Sequence, residues 1–201
     1  MQPYFATTEY TTAASAVLNI MKILDSSVEM CQSEEFRIWQ KTTILPTRAS
    51  SVFALAKYAK EKGLNVKVIA AKEEYDFPDY RFYRYSKADV DSAKLSARLL
   101  REEAINSGVP VEIRDFDLKE INSELKKGNI LLLRLNVKPI RNLKRNSSNY
   151  IIIKEFDGKN YNIIDTGNSA MTISCEMLQE CFETLESKKH RDHRMIVFSR
   201  E

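Results

Sequence analysis

The sequence NYIIIKEFDGKNYNIID, residues 149–165, decides the class of fold. Asp157-Gly158 at its centre is a strong hairpin signal, because tight turns between strands need residues that tolerate a positive φ. The flanking residues 149–156 and 161–165 are rich in isoleucine and tyrosine, which favour strands. The stretch therefore predicts an antiparallel hairpin in the second half of the chain.

Helices are predicted upstream of this hairpin from the spacing of apolar residues and from capping residues. The first three have their predicted starts near Thr12, near Ser33, and at Ser50 or Ser51. Further helices are predicted after Ser86, Asp117 and Ser174, and further strands over residues 66–69, 111–113, 130–137 and 195–199. Because helices come first and antiparallel strands later, the sequence predicts an α+β fold in a single domain, residues 1–201, rather than a doubly wound parallel sheet.

The second predicted helix has an apolar face and an acidic start. Phe36, Trp39 and Thr43 recur at helical spacing and are expected to form its buried face. Glu34 and Glu35 lie at the predicted start of this helix, where their negative charges are expected to interact favourably with the positive end of the helix dipole.

Composition excludes several classes of protein. A content of 43% hydrophobic residues with five glycines and five prolines in 201 residues is not that of a disordered or collagen-like chain. The longest apolar runs, residues 130–133 and 151–153, are far shorter than the roughly 20 residues that cross a bilayer. No secretory signal opens the sequence. These features predict a cytoplasmic globule without membrane association.

Charge does not predict a polyanionic partner, because the net charge is only +3. One basic cluster, Arg141, Lys144 and Arg145, and a second over residues 188–194 could form an anion-binding or RNA-binding face. Solvated loops are the commoner outcome for such clusters. The aromatic stretch 75–85 could likewise stack on single-stranded nucleic acid, but an aromatic loop packed on its own core is commoner.

No cofactor or metal is predicted. The sequence has no glycine-rich nucleotide loop, no H-E-x-x-H and no G-x-S-x-G motif. His190 and His193 are the only histidines, and the basic residues around them would repel a cation, so a solvated turn is favoured over a metal site. The three cysteines lack C-x-x-C spacing, which argues against a disulfide framework or a zinc knuckle.

The hairpin allows a deduction about Asn149 and Asp165. With a three-residue turn, Phe156 pairs with Tyr161 or with its neighbour Asn160. On the Asn160 register, Ile151 lies opposite Asp165, and Asn149 and Asp165 become diagonal neighbours about 7 Å apart on one face. A two-residue turn would place them on opposite faces. On the Asn160 register, the pair is either part of a site or a hydrogen-bonded edge, and spacing leaves both open.

Five segments in order resemble the bacteriocin-processing cysteine peptidase-like family, which has the papain-like fold. They are EYTTAASAVLNIM (9–21), EFRIWQKTTI (35–44), SVFALAKYAKEKGLNVKV (51–68), AINSGVPVEIRDFDLKEINSELKKGNILLLRL (104–135) and SSNYIIIKEFDGKNYNIIDTG (147–167). The resemblance implies a papain-like cysteine proteinase fold, with an N-terminal helical half packed on a C-terminal antiparallel sheet.

The resemblance also implies where the chemical groups of such a peptidase would stand. The nucleophilic cysteine corresponds to Thr12, the histidine to Asn149 and the oxyanion-hole glutamine to Ala6, whereas the orienting acid is retained as Asp165. A threonine hydroxyl is far less acidic than a thiol, and an asparagine amide cannot accept its proton. We therefore expect a pseudoenzyme whose cleft, with Thr12, Asn149 and Asp165, binds a peptide or protein partner.

Two alternatives remain open at this point. A hydrolase with rearranged groups would use Thr12, Asp165 and either His190 or His193, and it requires a histidine within hydrogen-bonding reach of a nucleophile. A displaced nucleophile at Cys31 is disfavoured, because it lies before the second helix. In the purely structural alternative, Thr12 caps a helix, Asn149 and Asp165 bond to each other, and Ala6 fills space.

Overall fold

The computed structural model describes residues 2–75, 77 and 85–199 of the chain. Within these residues the helices are α1 (Thr12–Leu24), α2 (Gln32–Thr42), α3 (Val52–Glu61), α4 (Lys87–Asn106), α5 (Leu118–Lys126), α6 (Lys138–Arg141) and α7 (Cys175–Ser187). The strands are β1 (Asn65–Ala70), β2 (Val111–Ile113), β3 (Ile130–Asn136), β4 (Ser148–Phe156), β5 (Asn160–Ile164), β6 (Ala170–Ser174) and β7 (Arg194–Ser199).

The strands form one sheet in the order β2-β1-β7-β3-β4-β5-β6. Neighbouring strands are antiparallel except β1 and β2, which are parallel. This is consistent with the order of helices and strands in the sequence, and it confirms the predicted α+β class. In the described ranges, no helix has both the length and the apolar character needed to cross a membrane.

Helices cover both faces of the sheet. Successive side chains of a strand point to opposite faces, so one strand contributes to two cores. Ile130 and Leu132 of β3 pack with α1 and α3 in one core, and Leu131 and Leu133 pack with α5 and α7 in the other. All seven residues of β3 are buried. Helix α1 is buried from Thr12 to Met21, so its first turn is held rigidly against the sheet.

Local sequence signals placed most element boundaries correctly. Ser51 caps α3, Ser174 caps α7, and Ser86 with Asp89 forms the predicted capping box of α4. The exceptions are α6 and β6, which the sequence did not predict. Helix α6 has only four residues, and β6 is an edge strand with one buried residue, so neither carries a readable periodicity.

The hairpin pairs Phe156 with Tyr161, one of the two partners that the sequence left open. The register then shifts between Ile153 and Glu155, so that Ile153 pairs with Ile163. This β-bulge inserts one residue into β4, and beyond it the strands have the register that a pairing of Phe156 with Asn160 would give. Extended by one position beyond the last pair, the register puts Ile151 opposite Asp165, as the sequence predicted.

The buried face of α2 also differs from the prediction. Glu35, Ile38 and Thr42 are the buried residues, so the face predicted from Phe36 and Trp39 was wrong by one position. The cause is Glu35, which is fully buried. Hydrogen bonds from surrounding polar groups stabilise its carboxylate in this position. A charged residue normally marks the solvated face of a helix, and the periodicity therefore misled the prediction.

Glu35 connects the N-terminal segment to α1 and α2. Its carboxylate accepts hydrogen bonds from the Tyr4 hydroxyl at 2.8 Å, the Thr7 N–H at 2.9 Å, the Thr7 hydroxyl at 2.7 Å and the Ser15 hydroxyl at 2.9 Å. Burial alone would raise the pKa of this carboxyl, but donors including Thr7 and Tyr4 outweigh burial and hold the pKa below its ordinary value.

We predict that Glu35→Gln lowers the free energy of unfolding at pH 7 by roughly 1.5–3 kcal/mol, because hydrogen bonds to a charged acceptor are lost. A lowered folded-state pKa contributes stability above the unfolded pKa of about 4.3 and loses it as pH falls through the folded value. The difference between wild type and variant in urea unfolding should therefore shrink below about pH 4. A difference that is constant from pH 7 to pH 3 would contradict this role.

Candidate functional site

A cleft of about 960 Å³ opens between the helical half and the sheet. Its walls include residues 6–10 and the start of α1, residues 48–50 before α3, and residues 147–150 at the start of β4. Thr12, Asn149 and Ala6 line this cleft. Asp165 is fully buried behind it, and Arg141, which contacts Asp165, lines the wall. The structure thus brings the four positions implied by the family resemblance to one place.

Thr12 is the first residue of α1 but does not cap it. The N-cap position is Thr11, and no side-chain capping bond forms there. Instead, the Thr12 hydroxyl donates to Asn149 Oδ1 at 2.7 Å, and the Thr12 carbonyl accepts from the Thr166 hydroxyl at 2.7 Å. The same Asn149 oxygen accepts from the Tyr150 N–H at 3.1 Å. The hydroxyl proton therefore points to an amide oxygen, which is not a base at neutral pH.

Asp165 is held by an arginine rather than by Asn149. Arg141 Nε donates to Asp165 Oδ2 at 2.7 Å, and Arg141 Nη2 donates to Oδ1 at 2.6 Å. The Gly167 N–H also donates to Oδ1 at 3.1 Å. Of the two possibilities that the sequence left open for Asn149 and Asp165, the mutual hydrogen bond is not formed, because a two-point, charge-assisted pair with a guanidinium binds a buried carboxylate more strongly than an amide does.

Gly167 makes room for this ion pair. A Cβ at this position would lie 2.7 Å from Arg141 Nη2 and 3.2 Å from Thr12 Cγ2. The Arg141 guanidinium therefore packs closely against the Gly167 backbone, beside Thr12. Any larger residue at position 167 has to displace the guanidinium from Asp165.

Ala6 contributes no side-chain donor to the cleft. Its backbone N–H donates to the Thr166 carbonyl at 2.8 Å, which fixes the N-terminal segment beside α1. A methyl group cannot stabilise a developing oxyanion, and the backbone N–H is already engaged.

Neither histidine lines the cleft. His190 is exposed, and His193 stacks on the Phe182 ring with centroids 3.8 Å apart and its Nε2 3.0 Å from the Phe182 carbonyl oxygen. Phe182 belongs to the core on the opposite face of the sheet from α1. The hydrogen bond between a histidine and a nucleophile that the rearranged-hydrolase alternative requires is therefore not formed.

The three thiols also lie outside the cleft lining. Cys31 is the N-cap residue of α2, which agrees with its predicted location before the second helix. Cys175 is the first residue of α7. Burial raises the pKa of the Cys181 thiol to about 12, so it is protonated at neutral pH. In residues 2–75, 77 and 85–199, no group of three or more His, Cys, Asp or Glu residues is placed to hold a metal ion.

The segment 188–194 is a solvated turn only at its start: Lys188 and His190 are exposed, whereas Arg191, Asp192 and Arg194 are buried, so the prediction was wrong for the second half. Asp192 is buried and pairs with Arg134 Nη1 at 3.2 Å and with Arg194 Nε at 2.6 Å. The Tyr75 ring lies 5.0 Å from the Arg134 guanidinium and 4.9 Å from that of Arg194. Buried charges need partners, and this cluster supplies them within the protein.

The basic loop residues predicted as an anion patch are separated in the structure. Arg141 turns toward Asp165, whereas Lys144 and Arg145 are exposed and do not line the cleft. In the predicted aromatic stretch 75–85, Tyr75 and Phe77 are buried in a small core. Tyr80, Phe82 and Tyr83 lie outside the described residues.

Arg134 and Tyr150 are site residues that the sequence reasoning missed. They stand directly opposite each other on β3 and β4, and both line the cleft. A signal for Arg134 was present, because it is the one charged residue in the apolar run ILLLRL. A charge inside a buried strand usually has a specific partner or a functional role.

The cleft therefore gathers the four positions that the family resemblance singled out, with Ala6, Thr12 and Asn149 in its lining and Asp165 bound to the lining residue Arg141. A sequence profile described as Peptidase_C39 like family matches residues 2–183, and this chain belongs to that family. The predicted family resemblance is confirmed. No curated protein matches the chain.

One similar solved structure is the crystal structure of a double glycine motif protease from an AMS/PCAT transporter in complex with the leader peptide. It is 11% identical in sequence, and the alignment covers 99% of this chain and 93% of the other with a TM-score of 0.44.

We predict that Arg141→Met destabilises the protein by about 3–5 kcal/mol, because it leaves the Asp165 charge buried without its partner. The double variant Arg141→Met/Asp165→Asn should recover most of this loss, since the buried charge is then absent. Guanidinium unfolding measures both. Arg145→Met is the matched control and should stay within about 0.5 kcal/mol of wild type. An equal effect of Arg141→Met and Arg145→Met would refute the importance of the ion pair.

Proposed function

We propose that this chain is a non-catalytic member of the Peptidase_C39 like family, a papain-like domain that binds an extended peptide or a protein segment in its cleft. The observation that carries the proposal is the hydrogen bond from the Thr12 hydroxyl to Asn149 Oδ1 at 2.7 Å. In this proposal, Thr12 and Asn149 are an inert pair at the positions where a peptidase would have its nucleophile and its base. The cleft beside the pair stays open to a ligand.

Peptide hydrolysis needs a nucleophile, a base and a stabilised oxyanion. The Thr12 hydroxyl has no base, because its acceptor is an amide oxygen. Asp165 cannot take that role, since both its oxygens bind the Arg141 guanidinium. Ala6 has no donor side chain, and neither histidine lines the cleft.

The lining of the cleft favours a peptide or protein as its ligand. Tyrosine and arginine are the residue types most enriched at the energetic centres of protein interfaces. The lining includes four tyrosines and four arginines, namely Tyr10, Tyr75, Tyr85, Tyr150, Arg48, Arg134, Arg141 and Arg191. Its volume of about 960 Å³ lies near the upper end of the range for ligand pockets, roughly 300–1,000 Å³.

We predict no hydrolysis when the purified protein is incubated with a pool of random ten-residue peptides followed by mass spectrometry. The physical reason is the missing base at Thr12. A Thr12→Ala variant should give the same peptide profile as wild type. Cleavage products that appear with wild type and disappear with Thr12→Ala would show that the chain is an active hydrolase.

We predict that the wild-type protein enriches a subset of the same peptides and that Asn168→Trp weakens their binding at least about tenfold, a change of roughly 1.4 kcal/mol. Asn168 is an exposed residue of the cleft wall, so an indole there obstructs the opening. Asn162→Trp is the matched control, because Asn162 is also exposed but lies on β5 away from the cleft lining. Fluorescence polarisation with an enriched peptide measures both, and equal affinities for the two variants would place binding elsewhere.

A further inference from the structure

Two residues of the cleft lining, Ser50 and Tyr150, carry buried hydroxyls. Within the described part of the chain, Ser50 Oγ and the Tyr150 hydroxyl make no hydrogen bond, although each residue is only 6% exposed. A buried polar atom without a partner costs about 1–3 kcal/mol, so native proteins rarely leave one. Both residues line the same cleft, which makes a bound ligand the natural partner of their hydroxyls.

The two hydroxyls belong to residues on different elements of the fold. Tyr150 lies on the interior strand β4, directly opposite Arg134 on β3. Ser50 forms a β-bridge with Thr43 and immediately precedes Ser51, which caps α3. One hydroxyl thus comes from the sheet and the other from the helical half. The two hydroxyls therefore belong to opposite walls of the same cleft.

Charge indicates the kind of group that fits. Among the described residues that line the cleft there are four arginines, and the only acid is the exposed Glu9. Arg134 and Arg191 are both buried, at 3% and 5% exposure. Arg134 shares the Asp192 carboxylate with Arg194, so these two arginines and one acid keep a net positive charge. Hydroxyl donors beside guanidinium groups suit a ligand group that only accepts hydrogen bonds and carries negative charge. An ionised carboxylate has both properties.

We propose that the cleft contains a carboxylate subsite, in which the Ser50 and Tyr150 hydroxyls donate to a carboxylate of the bound peptide and Arg134 and Arg191 supply positive charge. This subsite rests on the proposed peptide-binding function and defines its ligand as an acidic peptide. Burial raises the pKa of the Tyr150 hydroxyl, so the hydroxyl keeps its proton and acts as a donor. The carboxylate can be that of an Asp or Glu side chain or that of the peptide C-terminus.

Three pools of eight-residue peptides with an N-terminal fluorescein label distinguish these sources. The first pool contains glutamate and a C-terminal amide, the second contains glutamine and a free C-terminal carboxylate, and the third contains glutamine and a C-terminal amide. We expect the wild-type protein to bind one of the first two pools about tenfold more tightly than the third, as one charge-assisted contact would give. The preferred pool identifies the source of the carboxylate.

Tyr150→Phe and Ser50→Ala test the residues without removing any internal hydrogen bond. Each should lower affinity for the preferred pool about three- to tenfold, while thermal stability stays unchanged or rises because an unpartnered hydroxyl is gone. Tyr161→Phe is the matched control. The Tyr161 hydroxyl donates to Asn122 Oδ1 at 2.6 Å outside the cleft, so its loss should lower stability and leave affinity unchanged.

The outcomes separate the two proposals. Tight binding of all three pools with equal affinity would overturn the carboxylate subsite and leave peptide binding intact. Unchanged affinity in both hydroxyl variants would also overturn it. If no pool and no random peptide binds to wild type, the proposed function fails, and the subsite fails with it.

Discussion

A buried carboxylate with an obligatory cationic partner organises this molecule. Asp165 is fully excluded from solvent, and an unpaired charge in that position would be costly. In the peptidases that the chain resembles, this acid is expected to orient a histidine. Here the corresponding residue is Asn149, and Arg141 from the short helix α6 binds the carboxylate at two points. Asp165 is thereby neutralised and unavailable for proton transfer.

The rest of the site follows from this neutralisation. Because Arg141 binds Asp165, the Asn149 side chain is available to accept a hydrogen bond from the Thr12 hydroxyl. This neutral hydrogen bond joins the start of α1 to β4. A second hydrogen bond, from the Thr166 hydroxyl to the Thr12 carbonyl, also holds the start of α1 beside the sheet. The cleft between the helical half and the sheet has a volume of about 960 Å³ and a lining rich in arginine and tyrosine, which is the basis of the proposed binding function.

Several features of the fold could be predicted from sequence because their causes are local. Ser51, Ser86 and Ser174 cap the helices that follow them, and Asp157-Gly158 turns the hairpin. The prediction failed where a distant partner overrides local character. Glu35 is buried on α2 because hydroxyls from the N-terminal segment and α1 surround it, and periodicity within one helix contains no information about those donors.

The sequence by itself determined the α+β class and the family, and the resemblance led us to expect Thr12, Asn149 and Ala6 at the positions of the cysteine, histidine and glutamine. Only the tertiary structure decided which polar groups pair, because hydrogen-bond partners such as Thr12 and Asn149 are 137 positions apart. Arg141 is a second example. Its sequence context predicted a basic residue in a solvated loop, but in the folded chain it forms an ion pair with Asp165. Local preferences shape helices and turns, whereas the pairing of buried charges depends on which side chains the folded chain brings within about 3 Å of each other.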